Sequence, residues 1–424
     1  MWYRLKLRWG IYSLLFCWTL ISNANGQNYH ASEFKLHTSK DGLSHNFVTA
    51  IEQDDQGYIW ISTDVGLNRF DGHSFSNYSN NTEPLMLASG IIRNLKPFGK
   101  DELGVISRSG FQIINTKDFS VKDYFIPDSS AFSSLRNTAW DAVALPDQSI
   151  ALTTASGFYL FNKNRQLAFR HDAYSLNDVG KKRIFYGRYM LPLNDRDLLV
   201  FVEENAIAHF DTKTNQFYQF KEGDQSPFNF SPVATAKNRG VIHHYQLNKQ
   251  EFLFFHFAKN SIVYYNTATQ KTVSTPLPIS KVNFSWESKI YKLTDSTFAV
   301  NGATTGFYIC HLDKRTGIVT MNPNSYLNDY KILCLKMDKA GKLWIGTSKG
   351  LLQQSNASQF LTTYDIKSSP ADSVTGGLSA SFHYKNNLYL GRLSLNKGLV
   401  IVDPVTKTVK KQINFFQYNS PGTK

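Results

Sequence analysis

The amino-acid sequence predicts an all-β protein: a seven-bladed β-propeller of four-stranded antiparallel blades, followed by the start of a second propeller. Three observations support this fold class. A motif at residue 54 returns at residue 338, a glycine-like turn residue recurs every 44 to 55 residues, and short runs of β-forming residues surround these turns. Units of this length with four strands each are typical of propeller blades. A single eight-bladed ring is the alternative.

The repeated motif predicts a turn followed by a short strand. Residues 54–67 read DDQGYIWISTDVGL and residues 338–351 read DKAGKLWIGTSKGL, with seven identities at one offset. Asp can bond nearby backbone N–H groups and Gly reaches positive φ, so the opening of the motif suits a tight turn. The Trp is expected to pack between blades rather than to bind sugar. We predict structural roles for Asp54, Gly57, Trp60, Thr63, Gly66, Asp338, Gly341, Trp344, Thr347 and Gly350.

Around the first copy the sequence predicts a complete four-stranded meander. Strands are expected at 47–51, 58–61, 67–70 and 74–78, with a tight hairpin turn at Asp71-Gly72. Weaker copies are marked by a turn residue before an apolar strand, and Asn can replace Gly there because it tolerates the left-handed conformation. These positions are Gly66, Gly110, Gly157, Asn205, Asn260, Gly306, Gly350 and Gly398.

A strand at residues 33–38 resembles the fourth strand of a blade but precedes the first full unit. We expect it to complete the last blade and close the ring, which would remove exposed sheet edges. Seven blades are then predicted over residues 31–358. Residues 359–424 are predicted to be the incomplete first part of a second propeller.

Residues 1–26 are predicted to be a signal peptide. Arg4, Lys6 and Arg8 precede an apolar run at 11–21, and small residues stand before the expected cleavage point at Gly26. An uncleaved membrane anchor is the alternative, but the run is shorter than the ~20 residues that a spanning helix needs. We therefore expect a periplasmic or secreted protein without a membrane span in its mature chain. It would be membrane-tethered only through a further C-terminal part.

Composition excludes several classes of protein. Hydrophobic residues make up 42% of the chain and charged residues 19%, which is typical of a folded and not a disordered protein. Three cysteines are too few for a disulfide scaffold or a multi-cysteine zinc module. Cys17 would leave with the signal peptide, and Cys310 and Cys334 are expected to be buried thiols, with an isolated disulfide left open. The formal charge of +13 predicts a basic surface, and export argues against a nucleic-acid partner.

Residues 42–48 (GLSHNFV), 54–63 and 66–72 (GLNRFDG) closely resemble the two-component regulator propeller repeat. The resemblance is strong over residues 42–78, good over 330–354 and only topological elsewhere. Ser62, Asn205 and Asn260 depart from the repeat, where it has glycine. The resemblance implies the periplasmic sensor region of a hybrid two-component histidine kinase that controls polysaccharide utilisation.

The same resemblance implies a longer receptor. Its expected order is a pair of seven-bladed propellers, a β-sandwich, a transmembrane helix, a histidine kinase and a response regulator. No phosphoacceptor helix or nucleotide-binding glycine box is found in these 424 residues. We therefore expect a truncated sensor without kinase or other catalytic activity, which would form a homodimer within a full-length receptor.

Ligands of propellers tend to bind at the channel mouth, where the loops before the innermost strands converge. By repeat position, the candidate ligand-binding residues are Asn46, Arg93, Trp140, Arg188, His243, Trp286 and Tyr330. Aromatic faces stack on sugars and arginine forks bind hydroxyls or carboxylates, so the set predicts a carbohydrate partner.

No catalytic residue, metal or cofactor is predicted. The sequence has no serine-hydrolase elbow, zinc-protease motif or P-loop. His243 and His244 are adjacent on a strand, so their side chains are expected on opposite faces, where they could not share a metal. The alternatives to a sensor are a secreted carbohydrate-active propeller enzyme, such as a lyase or glycosidase, and a protein-interaction scaffold.

Overall fold

The computed structural model describes residues 29–80, 83–127, 136–172, 187–202, 206–219, 242–256, 260–277, 287–355, 378–384, 387–392, 398–402 and 409–414. These residues form 32 β-strands and two short 3-10 helices, Ala31–Glu33 and Ser39–Asp41. The chain divides into two compact units, residues 1–355 and residues 356–424. The predicted signal peptide at 1–26 lies outside the described residues.

Seven four-stranded antiparallel sheets, here called blades 1 to 7, make up the first unit. Blade 1 contains β2 (Val48–Gln53), β3 (Ile59–Thr63), β4 (Gly66–Phe70) and β5 (Phe75–Tyr78). Blade 2 contains β6 (Ile92–Gly99), β7 (Glu102–Ser107), β8 (Gly110–Asn115) and β9 (Val121–Tyr124). Blade 3 contains β10 (Ala139–Ala144), β11 (Ile150–Thr154), β12 (Gly157–Phe161) and β13 (Leu167–Asp172).

The remaining four blades repeat this meander. Blade 4 contains β14 (Gly187–Pro192), β15 (Asp197–Val202), β16 (Ala206–Asp211) and β17 (Gln216–Gln219). Blade 5 contains β18 (Ile242–Gln246), β19 (Glu251–His256), β20 (Ser261–Asn266) and β21 (Lys271–Pro276). Blade 6 contains β22 (Ile290–Lys292), β23 (Thr297–Asn301), β24 (Phe307–Leu312) and β25 (Val319–Tyr326). Blade 7 contains β26 (Ile332–Met337), β27 (Leu343–Thr347), β28 (Gly350–Gln354) and, from the other end of the unit, β1 (Phe34–His37).

The blades form a closed ring of seven. The first strand of each blade contacts the first strands of its two neighbours, in order from β2 through β6, β10, β14, β18, β22 and β26 and back to β2. These seven innermost strands surround a central channel. The predicted seven-bladed propeller is confirmed, and a single eight-bladed ring is wrong because the cycle already closes between blades 7 and 1.

The ring is closed by the predicted N-terminal strand. β1 runs antiparallel to β28, with Leu36 opposite Leu352 and His37 opposite Leu351. The pairing continues past the strand ends, where the Ser355 backbone N–H donates to the Glu33 carbonyl oxygen over 2.8 Å. Since β1 fills the outer position of blade 7, the two ends of the first unit are held in one sheet.

The hydrophobic core lies between the blades. A blade is apolar on both faces, so each face must be covered by a neighbouring sheet. Between blades 1 and 2, for example, Trp60 and Leu67 pack with Leu95 and Leu103. An equivalent cluster lies at each of the other six interfaces. Each blade is therefore stabilised by its neighbours, which explains why the repeats assemble into a ring.

The aspartate of the repeated motif stabilises both the turn and the tryptophan. In blade 1, Asp54 Oδ1 accepts the backbone N–H groups of Gln56 and Tyr58, each over 2.9 Å. Its Oδ2 accepts the Trp60 indole N–H over 2.8 Å. Trp60 is fully buried, so this bond satisfies a polar group that would otherwise be costly to bury. The turn glycine, Gly57, has φ of 95°.

Blade 7 repeats the same arrangement. Asp338 accepts the backbone N–H groups of Ala340 and Lys342 over 2.9 and 2.8 Å, and it accepts the Trp344 indole N–H over 2.9 Å. Gly341 again has a positive φ, of 79°. The sequence alone suggested the turn and the packing of the tryptophan, but not the bond between the two.

The threonine and second glycine of the motif shape the next turn. Thr63 Oγ1 accepts the Val65 N–H over 3.1 Å and donates to the Gly66 carbonyl oxygen over 3.3 Å. Thr347 makes the matching bonds with Lys349 and Gly350 over 3.0 and 2.8 Å. Gly66 has φ of 143°, and a β carbon there would collide with the Tyr78 carbonyl oxygen. Glycine is therefore required where the third strand begins beside the fourth.

Both described cysteines are free and buried, so the disulfide that the sequence left open does not form. Cys310 packs between blades 5 and 6, and Cys334 packs between blades 7 and 1. Burial raises the pKa of each thiol to about 12.

The second unit contains one described sheet, in which four antiparallel strands follow chain order. They are β29 (Leu378–Tyr384), β30 (Asn387–Arg392), β31 (Gly398–Val402) and β32 (Val409–Asn414). The sequence predicted three of these strands and missed β29. That this sheet belongs to a second propeller remains a prediction.

Candidate functional site

The innermost strands share a local irregularity at one end of the channel. In β2, β6, β10, β14 and β26 the pairing with the next strand shifts by one residue near the start of the strand. Such a β-bulge leaves one residue without a partner in the ladder and re-aims its side chain. The bulge residues are Thr49, Arg93, Trp140, Arg188 and Leu333.

These bulge residues line a cavity of about 380 Å³ together with Lys289, which immediately precedes β22. We call this cavity the channel mouth. Its centre is an aromatic and cationic cluster from three consecutive blades. The guanidinium carbon of Arg93 lies 3.9 Å from the ring centroid of Trp140, and that of Arg188 lies 4.7 Å from the same ring. These distances are within the range of cation–π contacts.

A second cavity, of about 510 Å³, continues along the channel. It shares Thr49, Asn94, Tyr189 and Lys289 with the channel mouth. We call it the inner channel. His243 and His244 line this part rather than the mouth. In β18 the pairing runs without the bulge seen in five of the other blades, so His243 stands one position deeper than the bulge residues.

The wall of the inner channel carries a buried carboxylate that links three blades. Asp141, 1% exposed, accepts the backbone N–H of Met190 in blade 4 over 2.8 Å and that of Ala142 in its own blade over 2.9 Å. The Lys96 ammonium of blade 2 also contacts it. A charge buried in this way needs a counter-charge and hydrogen bonds, and Asp141 has both.

Burial also controls the ionisation of the inner channel. It lowers the pKa of His244 to about 3, and it lowers the pKa of His243 well below the ordinary histidine value. His243 Nδ1 accepts the Ile290 N–H over 3.1 Å, which requires that nitrogen to be unprotonated. Burial lowers the pKa of Lys289 and raises that of Tyr189. The histidines of the inner channel are therefore neutral near pH 7.

The structure brings together only some of the seven residues that the sequence nominated. Arg93, Trp140 and Arg188 meet at the channel mouth, and His243 lies in the inner channel. Trp286 lies outside the described residues.

Two nominated residues do not line either cavity. Asn46 accepts the Ser39 backbone N–H over 2.8 Å, and Tyr330 packs against the core between blades 6 and 7. Their chain neighbours Phe47 and Lys331 line the channel mouth instead.

Sequence reasoning missed two residues at the mouth. Thr49 is the bulge residue of blade 1 as Arg93 is of blade 2, and Lys289 immediately precedes the innermost strand of blade 6. Thr49 also donates to the Ile92 carbonyl oxygen of the next blade over 2.7 Å. In the bulged strands, the candidate residue follows the buried residue that opens the strand. An alignment of the innermost strands on that position would have identified Thr49.

The described residues contain no group of three or more His, Cys, Asp or Glu side chains arranged to hold a metal ion. Within the same ranges, no helix has the length and apolar character needed to cross a bilayer.

Two stretches match the family model of the two component regulator propeller, residues 42–65 and 326–349. They overlap the two blades in which the Asp–Trp arrangement is found. The chain carries two-component regulator propeller repeats.

Part of the chain is also similar to a curated protein. Over 74 residues the chain is 43% identical to a protein named histidine kinase P4 from Formosa agariphila. This stretch is 18% of the present chain and 5% of that protein. The chain thus matches only a small part of the length of this relative.

Solved structures show the same fold. The extracellular domain of a B. thetaiotaomicron protein described as a hybrid two component system matches with a TM-score of 0.54 and 16% identity, over 90% of this chain and 49% of that one. A second such domain, described as part of a one component system, matches with a TM-score of 0.56 and 12% identity, over 91% and 58%. Virginiamycin B lyase from Staphylococcus aureus matches with a TM-score of 0.51 and 14% identity, over 76% and 98%. The propeller therefore shares the fold of these extracellular domains and of the lyase, and the chain spans about half the length of the first two structures.

Proposed function

We propose that this chain is the extracytoplasmic ligand-sensing propeller of a two-component signal transduction receptor, and that it binds oligosaccharide products of polysaccharide breakdown. The regulator repeats and the likeness to extracellular domains of two-component systems support the sensing role. In this proposal the chain binds its ligand without changing it. Residues 1–26 direct export, and residues 359–424 contribute to a second propeller.

The observation that carries the proposed ligand class is the cluster at the channel mouth. Trp140 is only half-buried, and the guanidinium groups of two arginines lie against its ring within the channel mouth. The part of the Trp140 indole that the guanidinium groups leave uncovered would pack against apolar carbons of a sugar, while the guanidinium groups bond its oxygens. The mouth volume of about 380 Å³ is within the usual range for small-molecule sites.

Signalling would require that the ligand favours one arrangement of the receptor over another. The bulge residues at the mouth come from different blades, so one ligand would contact several blades at once. We propose that binding at the mouth changes the relative position of propellers in a receptor homodimer, and that a membrane-spanning segment carries this change to the kinase.

A binding screen tests the proposal. The purified chain is titrated calorimetrically with neutral and acidic oligosaccharides, and the composition of each sugar is checked afterwards. We expect at least one oligosaccharide to bind and to be recovered unchanged. Trp140→Ala should weaken that binding by about tenfold, the equivalent of ~1.4 kcal/mol.

The matched control is Tyr218→Ala, because Tyr218 is an exposed aromatic on β17 that does not line the mouth. It should bind as the unmodified chain does. If no oligosaccharide binds, or if both variants weaken binding equally, the proposed site is wrong.

A propeller lyase is the second candidate. The structural match to virginiamycin B lyase covers 98% of that enzyme, so a single ring of this kind can be a whole enzyme. Incubation with polysaccharides and assay for new reducing ends or unsaturated products distinguishes the two functions. Turnover that depends on residues of the channel would favour the enzyme, whereas binding without turnover favours the sensor.

A further inference from the structure

We propose that Asp141 is a positioning residue for the channel mouth. Its carboxylate joins the strands of blades 2, 3 and 4, which carry the three members of the aromatic and cationic cluster, Arg93, Trp140 and Arg188. This inference goes beyond the proposed function, since it concerns how the cluster is held whichever ligand binds there. Three observations support it: the place of Asp141 on the channel wall, its bonds, and its contrast with the other carboxylate that lines the inner channel, Glu52.

The bulge in β10 places two consecutive side chains on the channel wall. Trp140 lines the channel mouth, and Asp141, the next residue, lines the inner channel. In a regular strand consecutive side chains point to opposite faces, so one of the two would leave the channel. Asp141 therefore faces the channel immediately inside the cluster that surrounds Trp140.

The bonds of the Asp141 carboxylate reach the two blades that carry the arginines. Oδ2 accepts the Met190 backbone N–H of blade 4 over 2.8 Å, and Met190 follows Arg188 by two residues. Oδ1 contacts the Lys96 ammonium of blade 2, and Lys96 follows Arg93 by three residues. One buried carboxylate thus holds together the strand segments on which both arginines stand.

An aspartate at this place is particular to blade 3. In the other bulged strands the residue after the bulge residue is Ala50, Asn94, Tyr189 or Cys334. None of these four residue types carries a charge near pH 7. A buried charge is stable only when its partners are in place. Asp141 therefore restrains blades 2 and 4 next to Trp140, the residue that both arginines contact.

Glu52 provides a matched comparison in the same channel. One oxygen of Glu52 accepts the N–H of the next residue over 3.0 Å and contacts the ammonium of Lys336 on a neighbouring blade. Asp141 Oδ1 does the same with the next residue, over 2.9 Å, and with Lys96. The lysine side chain of each pair is 32% exposed, so the two pairs have similar access to solvent. The Glu52 pair, however, joins blades 1 and 7, which carry no member of the cluster.

The first experiment follows the Trp140 side chain without any ligand. The purified chain is labelled with fluorotryptophan, and the fluorine resonance of Trp140 is assigned by its loss in Trp140→Phe. Lys96→Met removes the counter-charge from another blade, and Asp141→Asn replaces one oxygen by an amide group that cannot accept a bond. We expect both variants to shift or broaden the Trp140 resonance. Lys96→Arg keeps the charge and should leave the resonance closer to its original position.

Glu52→Gln and Lys336→Met are the controls, because they make the same chemical changes in the pair that does not reach the cluster. Both should leave the Trp140 resonance in place. Unfolding midpoints measured alongside separate a general loss of stability from a displacement of Trp140. An unchanged Trp140 resonance in Lys96→Met, or an equal change in Lys336→Met, would overturn the positioning role. Lys96→Met decides this outcome even if Asp141→Asn fails to fold.

Ligand binding gives a second readout, which separates the positioning role from the proposed function. For an oligosaccharide found in the binding screen, Asp141→Asn should weaken binding by about tenfold and Glu52→Gln should leave it unchanged. Equal affinities of the two variants for that oligosaccharide would overturn the positioning role. If no oligosaccharide binds, the proposed function fails, and the fluorine spectra still decide whether Asp141 positions Trp140.

Discussion

The seam between blades 7 and 1 and the channel mouth at blades 2 to 4 use the same repeat in opposite ways. On the two sides of the seam, equivalent positions carry the same residues and make the same bonds, as Asp54 with Trp60 and Asp338 with Trp344. At the mouth, one equivalent position carries Arg93, Trp140 and Arg188 in successive blades. Repetition therefore builds the scaffold, and divergence at a shared position builds a surface that can recognise one ligand.

The largest expected effect is a difference in the free energy of unfolding between alanine variants of two tryptophans. Trp60→Ala should lower the free energy of unfolding by about 3–5 kcal/mol, because it empties a fully buried site between blades. Trp140→Ala should lower it by about 1 kcal/mol, since Trp140 is half-buried and loses mainly cation–π contacts. Chemical denaturation of both variants measures the difference. Similar losses of stability in the two variants would contradict the division between scaffold and mouth.

A second prediction concerns the inner channel, whose buried groups should affect the stability of the fold as the scaffold residues do. Burial lowers the pKa of His244 to about 3, while a histidine in the unfolded chain titrates near pH ~6.5. As the pH falls below 6.5, the unfolded chain takes up a proton that the folded chain cannot, so stability falls. Between pH 7 and pH 5 this group should cost about 2 kcal/mol.

The variant His244→Phe should remove that contribution. His244 contacts Phe201 and Phe254, and its Nδ1 is buried with no hydrogen-bond partner among the described residues, so a phenyl ring suits the site. Denaturation at pH 7 and pH 5 should show a smaller loss of stability for the variant than for the unmodified chain. His73→Gln, at an exposed turn position, should leave the pH dependence unchanged.

A smaller effect than that of Trp60→Ala is expected for the two aspartates of the motif. Asp54→Asn and Asp338→Asn each weaken bonds to an indole N–H and to two backbone N–H groups. We expect each to lower the free energy of unfolding by about 1–2 kcal/mol, and the two losses to agree within about 0.5 kcal/mol. Unequal losses measured by denaturation would show that equivalent bonds do not have equivalent weight in the two blades.

The scaffold could be predicted from the sequence because its signals are local. The Asp54 turn involves residues within four positions of one another, and Gly66 marks the start of a strand by its conformation alone. The closing strand was recognisable from its likeness to other fourth strands, and β1 pairs with β28 as expected. Local hydrogen bonding and backbone geometry follow directly from residue type.

The site was harder to predict, because it depends on register. Asn46 and Tyr330 were nominated, whereas their neighbours Phe47 and Lys331 line the channel mouth. Neighbouring residues of an extended chain face opposite sides, so an error of one position moves a side chain out of the channel. His243 was expected at the channel mouth but lines the inner channel, because β18 pairs without the bulge found in five of the other innermost strands.

The sequence by itself determined the repeating unit of this protein, with its turns, its strands and the residues that are buried between sheets. Only the tertiary structure decided between seven and eight blades in the ring and showed that Arg93 and Arg188 meet on Trp140. The physical reason is the distance along the chain between the residues that interact. Turns and strand patterns follow from contacts between near neighbours, whereas closure and the channel follow from the packing of blades that are far apart in the chain.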